Sequence, residues 1–113
     1  MIKAKKKFGQ NFLIDNQIIK LIVDEIKFSD TNKYLEIGPG MGALTSELQK
    51  KTKNLDLVEI DPDMIKILRG KINVTSHLFE GDVLSFDDKF FEEYNVVLGN
   101  LPYYISTEII FRF

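Results

Sequence analysis

The segment that most constrains this chain is "KYLEIGPGMGALT", residues 33–45. "KYLEIG" reads as a short strand that runs straight into glycine, and residues 41–51 read as a helix with Leu44 and Leu48 turned inward. Strand, glycine turn and helix in so few residues is the opening of a βαβ unit, which needs a parallel partner strand and a crossover. The rest of the chain supplies them. "LDLVEI" (55–60) is a second strand, followed by Asp61-Pro62, an N-cap with proline at the first helical position. Met64, Ile65 and Leu68 form the apolar face of that helix, and Gly70 lies near its end.

A weaker third strand falls within "VTSHLFEGD" (74–82), a short acidic helix covers 87–93, and "NVVLGN" (95–100) is a fourth strand. Ser106-Thr107-Glu108 then starts a helix, "STEIIFRF". Ahead of the first strand, Ile18, Ile22 and Ile26, with Ile19 and Val23 beside them, recur at helical spacing after Asp15 as N-cap. Strands alternating with helices predict an α/β fold with a parallel sheet and right-handed crossovers. With the first strand central, the order is 3-2-1-4. The loops after strands one and four then face each other across a crevice at the carboxyl ends, where doubly wound sheets bind ligands.

Composition narrows the function. A length of 113 residues, 44% of them hydrophobic, suits one globular domain. The formal charge of −2 excludes a generally basic nucleic-acid binder, although Lys3, Lys5, Lys6 and Lys7 crowd the amino end. There is no cysteine, hence no disulfide framework or thiolate metal site, and the one histidine, His77, has no partner at ligand spacing, so no metal is expected. No apolar run is long enough for a membrane span and no signal-peptide core follows the lysines, so a cytoplasmic location is the expectation.

In "EIGPGMGALT" (36–45), Gly38 and Gly40 permit a tight turn and let a ligand lie against bare backbone. The next helix aims its free N–H groups into the crevice. The spacing also fits the dinucleotide fingerprint, with Ala43 in its last place, and Glu59 stands about 20 residues on, where an acid reads a ribose diol. Asp82 in "EGDVL" (80–84) lies further along the same rim and can accept a hydrogen bond from the exocyclic amine of adenine. The plainer alternatives are an αβ turn whose glycines serve packing and a turn aspartate after Gly81. NAD and S-adenosyl-L-methionine both satisfy these features.

"NLPY" (100–103) separates the two. The amino group on carbon 6 of adenine is a poor nucleophile because its lone pair is delocalised into the ring. Two acceptors on its N–H bonds free that pair. Asn100 supplies a side-chain carbonyl and Leu101 a main-chain carbonyl, whose direction Pro102 fixes by holding Leu101 extended. Tyr103 offers a face on which the base stacks, worth about 1–3 kcal/mol by analogy with single-strand binders. Hydride transfer gives these residues no task. No strong base is needed, since the methylated product can lose its proton to water. The plainer alternative is a strand that ends in a proline turn with two core tyrosines.

These motifs carry a resemblance. "KKKFGQNFL" (5–13), "EIGPGMGALT" (36–45), "VEID" (58–61), "EGDVLSF" (80–86) and "GNLPYYIS" (99–106) together resemble the small-subunit ribosomal RNA adenine N6,N6-dimethyltransferases, relatives of the erythromycin-resistance rRNA methyltransferases. The resemblance implies a Rossmann-like S-adenosylmethionine-dependent methyltransferase fold. It implies two successive methylations of two adjacent adenines near the 3′ end of small-subunit rRNA, on the immature small ribosomal subunit. It also implies residue roles. Asn11 and Leu13 close over the cofactor, Gly38 and Gly40 pass under its methionine part, Glu59 binds the ribose, and Asp82 with Val83 binds the adenine. Asn100 sits between cofactor and target amine, and Tyr103 stacks on the target base with Phe8 or Phe12 nearby. Lys5, Lys6 and Lys7 meet rRNA phosphates, a salt-sensitive contribution.

Residues 1–113 are read as the amino-terminal part of such a domain, with 1–14 as its basic cofactor- and RNA-contacting segment. Family members continue into further strands and a helical C-terminal domain, so the expectation is an incomplete fold with the outer edge of strand four unpaired, weak cofactor binding, and little or no dimethylation by this chain alone. The rival readings are a non-catalytic binding module, an NAD oxidoreductase, and a DNA adenine N6-methyltransferase. Leu101 in place of a proline, together with "FGQNFL", argues against the last of these.

Overall fold

The computed structural model describes residues 16–100 and 107–111, with Asn100 and 107–111 given by their backbone course. Helix α1 (Asn16–Glu25) is followed by β1 (Tyr34–Ile37), α2 (Ala43–Gln49), β2 (Leu55–Glu59), α3 (Pro62–Arg69) and β3 (Leu78–Glu80). A 3₁₀ turn (Val83–Ser85), α4 (Asp88–Phe91), β4 (Val96–Asn100) and β5 (Thr107–Phe111) complete the order. The sheet runs β3-β2-β1-β4-β5, and every pair among the first four strands is parallel.

The start of α3 follows the sequence closely. Asp61 caps it by accepting the Asp63 N–H at 2.9 Å, and Pro62 occupies the first turn, where its missing N–H costs nothing. Ile65 and Leu68 are buried beneath it. The N-cap expected at Asp15 lies outside the described residues. Within α1, Ile19, Ile22 and Val23 are buried as the helical spacing requires.

Period-two alternation divides the sheet's side chains between two cores. Tyr34, Leu55, Val96 and Leu98 pack with α1 and α2. Leu35, Val58, Val97 and Tyr94 pack on the other face, with Phe79 of β3 and Phe86, Phe90 and Phe91 from the α4 region against them. Strands β1 and β2 are covered on both faces, so the acids that interrupt their apolar residues, Glu36, Asp56 and Glu59, are buried with them.

One element departs from expectation. The helix read from Ser106 onward is instead β5, antiparallel to β4, with Val96 level with Phe111 and Asn100 level with Thr107. The unpaired outer edge expected for β4 is therefore paired. Thr107, Ile109, Ile110 and Phe111 are β-branched or aromatic, and a neighbouring strand with open N–H and C=O groups decides between helix and strand for so short a run. Acids of the short helical segment expected at 87–93 also have local work. Asp87 caps α4 by accepting the Phe90 N–H at 3.0 Å, and Glu93 pairs with Lys33 at 2.8 Å.

Candidate functional site

The register places the carboxyl ends of the strands at one level. Ile37 stands opposite Val58 on one side and opposite Gly99 on the other. The glycine turn therefore leaves β1 one residue after a position that is shared with β4, and Asn100 follows Gly99 on the neighbouring strand, roughly 4.8 Å across. Gly38 N–H donates to the Val58 carbonyl and Gly81 N–H to the Glu59 carbonyl, both at 2.9 Å, so the ends of β1, β2 and β3 are laced together.

The turn itself is built from Gly38, Pro39, Gly40, Met41 and Gly42. Gly40 has φ 60°, and a Cβ placed on it would meet no atom within 4 Å. Open space beside bare backbone is a cradle that a ligand can occupy. Gly42, at φ 88°, serves a different purpose: a Cβ there would lie 3.2 Å from the Leu68 Cδ2 atom of α3 and 3.6 Å from the Lys71 stem. Gly42 thus sets how closely α2 approaches α3, a requirement hidden in a motif read for ligand contact. Lys71 Nζ also donates to the Met41 carbonyl at 2.9 Å. Gly42→Ala is expected to lose roughly 2 kcal/mol of stability from left-handed strain and crowding. Gly40→Ala should lose about 1 kcal/mol, from strain alone. Urea unfolding of the two variants measures the difference.

Glu59 ends β2, and its buried carboxylate anchors the turn. Oε1 accepts the Gly40 N–H at 2.9 Å, and Oε2 accepts the Ile60 and Asp61 N–H groups, both at 3.0 Å. A carboxylate has about four acceptor positions, so capacity for a hydroxyl donor remains. Asp82 stands on the same rim after Gly81. Its Oδ1 caps the 3₁₀ turn by accepting the Leu84 N–H at 2.9 Å, so the turn role and a ligand role are compatible. Val83 is half-buried against the second core.

Three apolar side chains around this rim were not anticipated. Met41, Ile60 and Leu84 are 52%, 56% and 78% exposed, and each follows a strand end. Their signal was positional, since an apolar residue just outside a strand in a polar loop has no core to join. Glu36 was missed as well. It is 2% exposed on β1, and its Oε1 accepts the Thr45 hydroxyl at 2.5 Å. Burial pushes this carboxyl up to about 7; the Thr45 hydrogen bond opposes the rise, and the Glu59 charge adds to it.

Lys5, Lys6, Lys7, Phe8, Asn11, Phe12, Leu13, Leu101, Pro102 and Tyr103 lie outside the described residues. Gly38, Gly40, Glu59, Asp82, Val83 and the backbone of Asn100 come together on the one rim. Among the described residues, no three His, Asp or Glu side chains group as metal ligands would, and no helix is long and apolar enough to cross a membrane. His77 sits at the other end of the sheet, its Nδ1 3.5 Å from Asp56.

Comparison with known proteins agrees with this arrangement. The ribosomal RNA small subunit methyltransferase A of Mycoplasma mycoides is 40% identical across 98% of this chain, and that of Mycoplasmopsis pulmonis is 46% identical across 98%. The chain spans 44% of the length of each. Among solved structures, a dimethyladenosine transferase from Plasmodium falciparum superposes with a TM-score of 0.63 at 29% identity, covering 77% of this chain and 32% of the other. The family model for ribosomal RNA adenine dimethylases matches residues 1–113, end to end, and the chain belongs to that family.

Proposed function

We propose that this chain is the cofactor-holding, amino-terminal part of an S-adenosylmethionine-dependent rRNA adenine N6,N6-dimethyltransferase. Its substrate is a pair of adjacent adenines near the 3′ end of small-subunit rRNA, met on the immature small ribosomal subunit in the cytoplasm. The observation that carries this reading is the adjacency of β1 and β4, in register from Tyr34↔Val96 to Ile37↔Gly99. It sets the glycine turn and Asn100 side by side on one rim, as a donor pocket beside an acceptor pocket requires.

The residues present fit the cofactor. Gly40 leaves room against bare backbone, Glu59 has acceptor capacity for a ribose hydroxyl, and Asp82 with Val83 stands where an adenine amine and ring can be held. Met41, Ile60 and Leu84 offer apolar surface to the same ligand. The bound cofactor supplies an electrophilic methyl carbon on a sulfonium. The chain supplies position and electrostatics, which carry most of the rate gain in such a transfer. Asn100 and the Leu101 carbonyl accept the two N–H bonds of the target amine, and Tyr103 stacks on its ring. Asn11 and Leu13, within the segment 1–14, close over the cofactor, while Lys5, Lys6, Lys7 and Phe8 meet the RNA.

Calorimetric titration tests the reading. S-adenosylmethionine and S-adenosylhomocysteine should bind and NAD should not; the reverse result would establish a dinucleotide site. Any tritiated methyl transfer to immature small subunits should vanish in Asn100→Ala while S-adenosylhomocysteine still binds. Transfer that survives this substitution removes Asn100 from the acceptor pocket.

A further inference from the structure

Two carboxyls flank the glycine turn from the same face of the sheet, and they hold it differently. Glu59 grips the turn by accepting three backbone N–H groups on its two oxygens. Glu36 has much less support. It stands level with Leu57 on β2 and Leu98 on β4, two leucines with no exposed surface, and the donor described on its carboxyl is the Thr45 hydroxyl of α2. Two acids in one desolvated pocket favour a proton on the less supported of them.

The elements packed around Glu36 bring few other charges to bear. From β2 the acting charge is Glu59. β4 presents Leu98, and α2 presents Thr45, which does not titrate in this range. The charged residues of α1, namely Lys20, Asp24 and Glu25, are exposed, away from its buried face. A cation entering the crevice is therefore the event best able to change the state of Glu36.

We infer that Glu36 is a positioning residue that ties β1 to α2 beneath the glycine turn and releases its proton when a sulfonium ligand occupies the crevice. The site thereby distinguishes the cationic methyl donor from its neutral thioether product by charge as well as by shape. This rests on the cofactor reading above. The neutral carboxyl suits the empty fold, and the carboxylate suits the loaded one. The elevated proton affinity of the buried carboxyl supports the coupling, because a group that titrates near neutrality can switch under physiological conditions.

Titration calorimetry of this chain with each ligand, near pH 7 in two buffers of different ionisation enthalpy, counts the protons released on binding. S-adenosylmethionine should release about half a proton more than S-adenosylhomocysteine, since about half of the Glu36 carboxyls carry one there. The sulfonium makes the ammonium of S-adenosylmethionine more acidic than that of the thioether, so the share belonging to Glu36 is the part of the difference that Glu36→Gln removes. S-adenosylmethionine should also bind about tenfold more tightly at pH 8 than at pH 6. Glu36→Gln should still bind both ligands but lose that share of the extra release. Thr45→Val removes the donor with little change of shape and should move the release to higher pH, because that hydrogen bond favours the carboxylate. Equal proton counts for the two ligands, or an unchanged count in Glu36→Gln, would overturn the coupling while leaving the cofactor reading in place. Failure of wild-type protein to bind either ligand would overturn both.

Discussion

Glu59→Ala is expected to weaken S-adenosylhomocysteine binding by roughly a hundredfold or more, from the loss of at least one charge-assisted hydrogen bond to ribose and the loosening of the turn. Hydrogen bonds to a charged group are each worth about 1.5–3 kcal/mol, and about 1.4 kcal/mol is a decade in affinity. The same carboxylate orients Gly40, Ile60 and Asp61 through their N–H groups, so its removal frees the glycine turn as well as removing the ribose acceptor proposed above. Those amides lie at the rim, where water can replace the lost acceptor, so the fold should survive. Glu59→Gln is the sharper variant. Its amide would turn an NH₂ group toward either the Gly40 N–H or the Ile60 and Asp61 N–H pair, donor against donor. It should therefore bind nearly as poorly as Glu59→Ala. Affinity within threefold of wild type in Glu59→Gln, measured by calorimetry, would show that the carboxylate's charge and acceptor set do not matter to the site.

Much of this pocket could be read from the sequence because its parts are local. The Asp61-Pro62 start of α3, the inward pair Leu44 and Leu48, and the glycine turn are set by neighbours within a few residues. The order 3-2-1-4 followed from handedness and from placing the first strand at the centre. What escaped depends on partners distant in the chain. Whether Thr107–Phe111 becomes helix or strand is decided by β4. That Gly42 must lack a side chain is decided by Leu68 and Lys71. Glu36 looked like a charge inside an apolar run; only the sheet shows Leu57 and Leu98 on either side of it and Thr45 above. Glu59 was expected to face a ligand, and in the fold it also holds three amides of its own chain. That Glu59 ends β2 was legible from its neighbours, whereas its structural duty required the turn to be folded around it.

Glu36 also bears on stability, in a definite direction. The protonated carboxyl suits the fold, so its contribution is fully present below the ordinary value of 4.5 and is lost as pH rises through about 7. The ligand-free protein should accordingly be less stable at pH 8 than at pH 6 on account of this group. The loaded protein should not share that loss, because the cofactor's charge takes over the compensation.

At the opposite end of the sheet, Tyr94→Phe is expected to cost about 2–3 kcal/mol of stability and to leave cofactor affinity unchanged. Asp56 is 6% exposed. Its Oδ2 accepts the Tyr94 hydroxyl at 2.6 Å, and its Oδ1 accepts the His77 N–H at 2.9 Å. Burial, and then the Asp56 contact, hold the Tyr94 hydroxyl protonated well above its ordinary range, so it is a permanent donor. Deleting that hydroxyl strands one oxygen of a buried acid, and the desolvation that was balanced is then unopposed. The ring stays, and with it the packing on Phe90 at 5.6 Å between centroids. Adding Asp56→Asn to Tyr94→Phe should recover part of the loss, because an uncharged amide is less costly to bury than a stranded carboxylate. Urea unfolding of the wild type, both single variants and the double variant closes the cycle. Additive losses would mean that the pair is not coupled. Coupled losses with an unaltered affinity for S-adenosylhomocysteine would show that the base of the sheet supplies stability, independently of the rim where the ligand is held.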